Sequence, residues 1–314
     1  MAKYRDHLPQ LSGDVFLADG GLETTLIFHE GVDLPAFAAF ILLADDAGRE
    51  QLLNYYRRYA SIACNAKTGL VLDSATWRAN PDWARKIGYS SEALTEANRR
   101  AIELCLRIRE ESETETTKMP INGCLGPRGD GYQADTLMSP EEAEAYHRGQ
   151  VETFRDADAD FVSAITMTYP NEAIGVVRAA QAAGMPSVIS FTVETDGRLP
   201  DGSTLAQAIG AVDEATGAGP AYYMVNCAHP THFQDTLEAE RGWTQRIQGV
   251  RANASKCSHA ELDAAEELDE GNPVELASEF RALRDAFPQI TVLGGCCGTD
   301  HRHIEEIGRA CVDH

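Results

Sequence analysis

Two adjacent cysteines near the C-terminus, Cys296 and Cys297, lie between glycines in the sequence Leu-Gly-Gly-Cys-Cys-Gly-Thr. A disulfide between adjacent cysteines is unfavourable. The bond needs Cα atoms roughly 4.4–6.8 Å apart, and neighbouring residues can form it only in an awkward, cis-like turn. Both thiolates can instead face one metal ion, and Zn²⁺ accepts such ligands in tetrahedral geometry. The usual role of a cysteine is that of a small buried apolar residue, but the glycines around this pair favour a metal site.

A third thiolate is available at Cys227. This residue follows the apolar segment 221–226 and precedes the turn 228–230. Cys227 therefore lies between a strand segment and a turn, as the cysteine pair does. A catalytic zinc site has three protein ligands and an open fourth position. Taken alone, Cys227 fits a core residue as well as a ligand. The nine histidines offer other ligands, but we expect His301 and His303 to start a helix that points away, and His229 to brace the Cys227 turn.

Eight short apolar segments alternate with helical patterns along the chain, which predicts an α/β protein with a (β/α)8 TIM barrel formed by residues 1–314 as a single domain. The predicted strands are 15–18, 70–72, 120–124, 160–165, 186–191, 221–227, 247–250 and 290–293. Helical spacing occurs at 34–43, 50–65, 92–110, from Ser139 onward, 171–183 and 205–215, whereas 251–272 is predicted as a long polar loop. The cysteines then follow strands 6 and 8, at the end of the barrel that carries chemistry.

Other segments also fit the mouth of a barrel. Asp19 is followed by two glycines, which permit close backbone approach to a ligand, and its carboxylate could accept hydrogen bonds from an ammonium group. The glycine-rich turn 126–131 has the character of a functional loop but lacks phosphate-loop spacing. Trp77 and Arg78 follow the second strand near the mouth, where a structural tryptophan is favoured over a contact with substrate.

The motif Gly-Gly-Cys-Cys-Gly-Thr ending at Thr299, preceded by Val-Asn-Cys-Ala-His-Pro at 225–230, resembles the zinc-dependent homocysteine S-methyltransferases. That family includes S-methylmethionine- and betaine-dependent enzymes and the homocysteine module of methionine synthase. Further matches are the segments 19–26, 123–129, 190–192 and 199–202, so the resemblance covers nearly the whole chain.

The resemblance implies that Cys227, Cys296 and Cys297 hold Zn²⁺ at the C-terminal ends of strands 6 and 8. Homocysteine would bind the fourth position as a thiolate and attack a methyl group carried by a sulfonium donor, S-methylmethionine or S-adenosylmethionine, to form methionine. Betaine, dimethylsulfoniopropionate or a corrinoid supplied by another protein are alternative donors. A noncatalytic zinc–thiolate protein is the alternative outside enzymes, and a closed site of four ligands would favour it.

The resemblance also implies substrate contacts. Asp19, Gly20 and Gly21 would hold the amino-acid end of homocysteine, and Asn226 would orient the metal loop. The family commonly has a glutamate where this chain has Met167. Either Thr166 or Thr168 then makes the polar contact, and Thr168 is included among the expected substrate-binding residues, or the thiol acceptor differs.

The acidic composition restricts the partners of the protein. The 314 residues include 27 Lys and Arg against 49 Asp and Glu, a net charge of −22, which disfavours nucleic acids and anionic membrane surfaces. No apolar segment approaches the ~20 residues that span a bilayer, and the N-terminus lacks the apolar core of a signal peptide. We therefore expect a cytoplasmic enzyme with reduced cysteines.

Overall fold

The computed structural model describes residues 1–135, 137–239, 241–265 and 267–312. Nine parallel strand segments form one sheet in the order β2-β1-β9-β8-β7-β6-β5-β4-β3. The segments are β1 Phe16–Leu17, β2 Gly69–Leu70, β3 Leu72–Asp73, β4 Ile121–Leu125, β5 Phe161–Met167, β6 Ser187–Phe191, β7 Tyr222–Asn226, β8 Ile247–Ala252 and β9 Val292–Gly295.

The segments β2 and β3 are two halves of one barrel strand, separated at Val71. Val71 donates its N–H to the carbonyl of Leu17 in β1 (2.8 Å), and Leu72 donates to the carbonyl of Pro120 just before β4 (3.0 Å). The sheet therefore begins and ends on the same extended segment and closes into a barrel. The prediction of a (β/α)8 barrel is confirmed, and β7 and β9 are its sixth and eighth strands.

Helices follow the strands along the chain. The α-helices of the described residues are α1 Leu22–Thr24, α2 Asp46–Ala66, α3 Pro81–Lys86, α4 Ser91–Ser112, α5 Pro140–Asp156, α6 Pro170–Ala183, α7 Leu205–Thr216, α8 Pro230–Ala239, α9 Arg241–Thr244, α10 His259–Asp263, α11 Pro273–Ala286 and α12 His301–Cys311. Helix α5 begins at the predicted cap: the Ser139 side chain accepts from the Glu142 N–H, and Glu142 accepts from the Ser139 N–H, which satisfies two otherwise unpaired donors. Asp300 caps α12 through the N–H of Arg302.

Alternate residues of the strands pack on opposite sides of the sheet, as strand geometry requires. Phe16 belongs to an inner cluster with Phe161, Tyr222 and Met224, whereas its neighbour Leu17 belongs to the larger cluster that the helices complete. The inner residues lie in the first halves of their strands or close to them. They fill the barrel at that end, so the open cavity lies at the carboxyl ends.

Within the part of the chain that the structure describes, no helix is long and apolar enough to cross a bilayer.

Two predicted elements are wrong in detail. The helical spacing at 34–43 corresponds to two 3-10 segments, Pro35–Phe37 and Ala39–Ala44, because Ala36 has φ 55° and interrupts any continuous helix. The predicted polar loop 251–272 starts within β8 and contains α10. Its helix begins at a capping box between Ser258 and Glu261, a signal that was present in the sequence.

Candidate active site

The three predicted ligand cysteines lie together at the carboxyl ends of β7 and β9. Cys227 directly follows β7, and Cys296 and Cys297 follow β9. Their Sγ atoms all lie within 4.8 Å of one another. In this structure Cys227 and Cys296 form a disulfide with their Cα atoms 5.4 Å apart, and Cys297 lies outside it.

The chemistry of this donor set fits a metal ion. Three thiolates at ~2.3 Å from a tetrahedral Zn²⁺ lie roughly 3.8 Å from one another, which is within the spread of the three sulfurs. No other group of three or more Cys, His, Asp or Glu residues in the described ranges lies close enough to share an ion. The disulfide and a metal exclude each other, because the ligands must be thiolates. Metal binding therefore belongs to the reduced protein.

Strand β8 lies between β7 and β9 and positions both cysteine turns. The N–H of Cys227 bonds to the carbonyl of Arg251 (3.1 Å), and the N–H of Cys296 bonds to the carbonyl of Ala252 (2.8 Å). Cys227 itself has φ 52°, and its carbonyl accepts a hydrogen bond from Asn253 Nδ2 (3.1 Å). Two consecutive residues of one strand thus fix the separation of the two turns.

Gly20 and Gly21 pack directly against the cysteine pair's turn. A Cβ atom on Gly21 would lie 2.6 Å from the carbonyl oxygen of Cys296, and one on Gly20 would lie 2.9 Å from the hydroxyl of Tyr59. At Gly21 the contact is with backbone, so a side chain there would displace the cysteine turn. At Gly20 a Cβ would also be tight against the carbonyl oxygen of Thr299 (3.0 Å). The N–H of Gly21 also bonds to the carbonyl of Thr299 (3.0 Å).

Arg251 links two carboxylates inside the barrel. It forms ion pairs with Asp19 and Asp73, and its Nε donates to the carbonyl of Gly295 (3.2 Å). Asp19 also accepts a hydrogen bond from the hydroxyl of Tyr55 (3.0 Å). Arg251 was not predicted as a site residue, because it falls in the segment 251–272 that was predicted to be a polar loop. The available signal was the position of a charged residue directly after an apolar strand segment.

Tyr132 and His259 are further site residues that the sequence did not indicate individually. The hydroxyl of Tyr132 lies 3.3 Å from Cys297 Sγ and 3.8 Å from Cys227 Sγ. The ring of His259 lies 4.2 Å from that of Tyr132, and its Nε2 lies 2.6 Å from the carbonyl oxygen of Cys227. Only the glycine-rich turn just before Tyr132 had suggested a functional loop.

The other predicted contacts are distributed differently. Thr166 lines the cavity, whereas Met167, Thr168 and Asn226 are buried outside its lining. The reason is a register irregularity in β5 between Ala164 and Met167, together with φ 61° at Thr166. Of the two threonines expected to make the polar contact, Thr166 lines the cavity and Thr168 does not.

Asn226 acts on the site through Thr166. Its Oδ1 accepts hydrogen bonds from the Thr166 N–H (2.8 Å) and the Ser190 hydroxyl (2.6 Å), and its Nδ2 donates to Thr166 Oγ1 (2.9 Å). The side chain thus joins the ends of three barrel strands and holds Thr166 in its unusual conformation. It has no surface left for a substrate, since it is fully buried.

The histidines considered as ligands lie elsewhere. His229 Nε2 is 3.0 Å from Glu279 Oε2, and its Nδ1 is 2.9 Å from Thr231 Oγ1. Burial lowers the pKa of His229 to about 4. His303 Nε2 is 2.9 Å from the carbonyl oxygen of Glu270. None of the three histidines lines the cavity: His229, His301 and His303.

The cysteines open into a cavity of about 520 Å³, a size typical of small-molecule sites. Among the described residues, six carboxylates line it but only two guanidiniums, those of Arg78 and Arg251. One of these acids, Glu23, has a pKa raised to about 7, chiefly by burial and further by the charge of Asp19. The excess of acids favours a cationic ligand.

Comparison with known proteins agrees with this geometry. Residues 16–311 match the family described as homocysteine S-methyltransferase.

The chain belongs to the homocysteine S-methyltransferase family.

Members of this family are enzymes that methylate homocysteine. The chain is 29% identical to the homocysteine S-methyltransferase of Escherichia coli K12, over 91% of this chain and 92% of that protein. Its fold is similar to two crystal structures of the homocysteine methyltransferase MmuM from Escherichia coli. The oxidized form superposes with a TM-score of 0.76 at 19% identity, covering 97% of this chain and 98% of that one. The metallated form has a TM-score of 0.72 at 22% identity, covering 94% and 96%.

Proposed function

We propose that this member of the homocysteine S-methyltransferase family transfers a methyl group from a sulfonium donor, S-methylmethionine or S-adenosylmethionine, to homocysteine and forms methionine. Zn²⁺ is the proposed metal, with Cys227, Cys296 and Cys297 as its ligands. The observation that carries the proposal is the convergence of three cysteine Sγ atoms within 4.8 Å of one another on the wall of the open cavity.

When bound, Zn²⁺ would supply the positive charge that keeps the homocysteine sulfur a thiolate at neutral pH. A lone pair of that sulfur forms the new bond to the methyl carbon while the bond from this carbon to the sulfonium sulfur breaks. The electron pair of the broken bond stays on the leaving sulfur, which becomes a neutral thioether. The reaction therefore needs no general acid, and it depends on how the chain positions the two substrates.

Asp19, Gly20 and Gly21 are the proposed contacts for the amino-acid end of homocysteine. The Asp19 carboxylate retains lone pairs beyond those that Arg251 and Tyr55 use, so it can accept a hydrogen bond from an ammonium group. Because Gly21 packs against the Cys296 carbonyl, a molecule bound at this turn has its thiol within reach of the cysteines.

Betaine or dimethylsulfoniopropionate is the second candidate donor, since aromatic rings line the cavity and such rings bind quaternary ammonium groups. One face of each of Trp77 and Trp83 is, however, already covered by Arg78, whose guanidinium carbon lies 4.0 and 3.9 Å from the two ring centroids. A second cation at these rings would be repelled by that guanidinium, which disfavours a quaternary-ammonium cage there and so favours an amino-acid sulfonium donor.

The deciding experiment supplies reduced, zinc-loaded protein with homocysteine and each of five donors: S-methylmethionine, S-adenosylmethionine, betaine, dimethylsulfoniopropionate and methylcobalamin. Methionine is then measured by mass spectrometry. We expect methionine from a sulfonium donor, about one zinc per chain, and loss of both in Cys296→Ser. Cys257→Ser is the matched control, because Cys257 is exposed and outside the cluster.

Failure of every donor with the zinc-loaded protein would refute homocysteine methylation. Full zinc retention in Cys296→Ser would refute the ligand assignment separately. The requirement for three reduced thiols supports a cytoplasmic location.

A further inference from the structure

Arg78 is a buried cation on the wall of the cavity. It is 6% exposed and lies between the indole rings of Trp77 and Trp83, which fix its guanidinium plane. Among the described residues this guanidinium donates one hydrogen bond, from Nη1 to the carbonyl of Gly129 (3.1 Å), and Nε has no partner. Burial lowers the pKa of Arg78, and the charges of Asp130 and Glu23 only partly offset this effect. An anion that arrives with a ligand would therefore stabilise the charged form of Arg78.

Glu23 supplies the opposite charge on the same wall. It lies in α1 and lines the cavity, and its carboxylate interacts electrostatically with Arg78 and Arg251. Within the described residues its hydrogen bond is to its own backbone N–H. Burial raises the pKa of this carboxyl group to about 7. A cation placed beside Glu23 would therefore compensate for the cost of its ionised form.

An α-amino acid carries an ammonium group and a carboxylate on one carbon atom, and it needs an acid and a base side by side. We infer that Glu23 and Arg78 form the subsite for the amino-acid end of the methyl donor, with Glu23 binding its ammonium group and Arg78 binding its carboxylate. This inference rests on the proposed function, because it assigns the second substrate of that reaction. It selects sulfonium amino acids over betaine and over sulfonium acids that lack an amine.

The pair is assigned to the donor because homocysteine has another acid, Asp19, whose backbone is bonded to the turn of the metal ligands. The carbonyl of Asp19 accepts a hydrogen bond from the N–H of Gly295 (2.9 Å), the residue before the cysteine pair. Arg78 lies instead in the loop between β3 and α3, and it is fixed by the turn at Gly129. One amino acid at Asp19 and a second at Glu23 and Arg78 give the two substrates separate polar anchors in one cavity.

The test removes the ammonium group or the carboxylate from the ligand and, separately, the proposed partner of each from the protein. Dissociation constants are measured by calorimetry for S-methylmethionine, for 4-(dimethylsulfonio)butanoate, which lacks the ammonium group, and for (3-aminopropyl)dimethylsulfonium, which lacks the carboxylate. The proteins are wild type, Glu23→Gln and Arg78→Lys, with Glu110→Gln as the matched control because Glu110 is an exposed acid of α4 outside the cavity lining. kcat/KM with S-methylmethionine and KM for homocysteine are measured in parallel.

In wild type, loss of the ammonium group should weaken binding about 10- to 100-fold, as expected for a charged hydrogen bond. In Glu23→Gln that same loss should change binding less than about threefold, since the partner is already gone. In Arg78→Lys, removal of the donor's carboxylate should likewise weaken binding less than it does in wild type, because lysine lacks the planar guanidinium that binds a carboxylate through two hydrogen bonds. KM for homocysteine should stay within about twofold, and Glu110→Gln should resemble wild type throughout.

The assignment is overturned if the ratio between S-methylmethionine and its deaminated analogue is the same in wild type and Glu23→Gln. It is equally overturned if Glu23→Gln raises KM for homocysteine and leaves donor binding unchanged. A wild-type protein that makes no methionine refutes the proposed function instead, and the binding ratios still decide the subsite.

Discussion

The guanidinium of Arg251 forms an ion pair with the carboxylate of Asp19, 232 positions earlier in the chain. It also pairs with Asp73, and all three side chains are buried. One cation therefore compensates two acids where β1, β3 and β8 meet inside the barrel. Because β8 holds both cysteine turns in place, the ion pair also fixes these turns relative to the Asp19 turn, which we propose as the contact for homocysteine.

Replacement of Arg251 by methionine should destabilise the protein strongly. The variant leaves two buried carboxylates without their partner, and breaking such a pair costs about 3–5 kcal/mol. The free energy of unfolding from urea titration measures this cost. Arg99→Ala is the control, since Arg99 forms ion pairs with Glu96 and Glu103 on the surface, where the expected loss is below about 1 kcal/mol. Equal losses in the two variants would contradict the role given to Arg251.

Gly21→Ala should impair the active site through the backbone. Its methyl group would meet the Cys296 carbonyl oxygen at 2.6 Å, so the cysteine turn must shift. We expect methyl transfer to fall roughly 10- to 100-fold, because small displacements of reacting groups have effects of this size. Gly149→Ala is the matched control: a methyl group there meets nothing within 4 Å, in the middle of α5. Unchanged activity in Gly21→Ala would show that the turn tolerates the shift.

The cysteine cluster could be predicted from sequence because its geometry follows from strand order. Residues that follow the sixth and eighth strands of a parallel barrel emerge on the same end and are separated by one strand. Spacing and residue type were therefore enough to bring Cys227 to the vicinal pair. The glycines at 20 and 21 were a weaker signal, since an ordinary turn also explains two glycines after a buried strand.

The rest of the site depends on details that a sequence does not fix. Thr166, rather than Thr168, reaches the cavity because of a register irregularity within β5, and one such shift exchanges the two faces of a strand. Arg251 was missed because β8 continues to Ala252, two residues beyond its apolar segment. Tyr132 lies in the loop after β4 and His259 at the start of α10, and their contact depends on how these two segments fold over the barrel.

Zinc uptake should require reduction of the protein. The disulfide between Cys227 and Cys296 removes two of the three proposed thiolate ligands. Oxidised protein should therefore bind much less than one zinc per chain, and a phosphine reductant should restore about one. Zinc is measured by mass spectrometry after gel filtration, with Cys257→Ser as a control that should behave as wild type. Stoichiometric zinc in the oxidised protein would contradict the assignment of these ligands.

Glu23 should make the stability of the metal-free protein depend on pH. Its pKa is raised to about 7 in the folded state and is about 4.3 in an unfolded chain. The stability that this group contributes is complete below about pH 4.3 and is lost as pH rises to about 7, because the unfolded chain releases the proton first. Glu23→Gln removes that loss, so the variant should match wild type at pH 4 and exceed it at pH 8, by about 4 kcal/mol at most.

Chemical unfolding of both proteins between pH 4 and 8 measures this difference. Glu267→Gln neutralises an exposed acid of the same cavity and should change stability by less than about 0.5 kcal/mol, as most surface substitutions do. A difference between Glu23→Gln and wild type that stays constant over this range would mean that Glu23 does not carry the raised pKa. A gain that rises between about pH 4.3 and 7, as linkage requires, would show that the cavity holds a carboxylate whose ionisation awaits a cationic ligand.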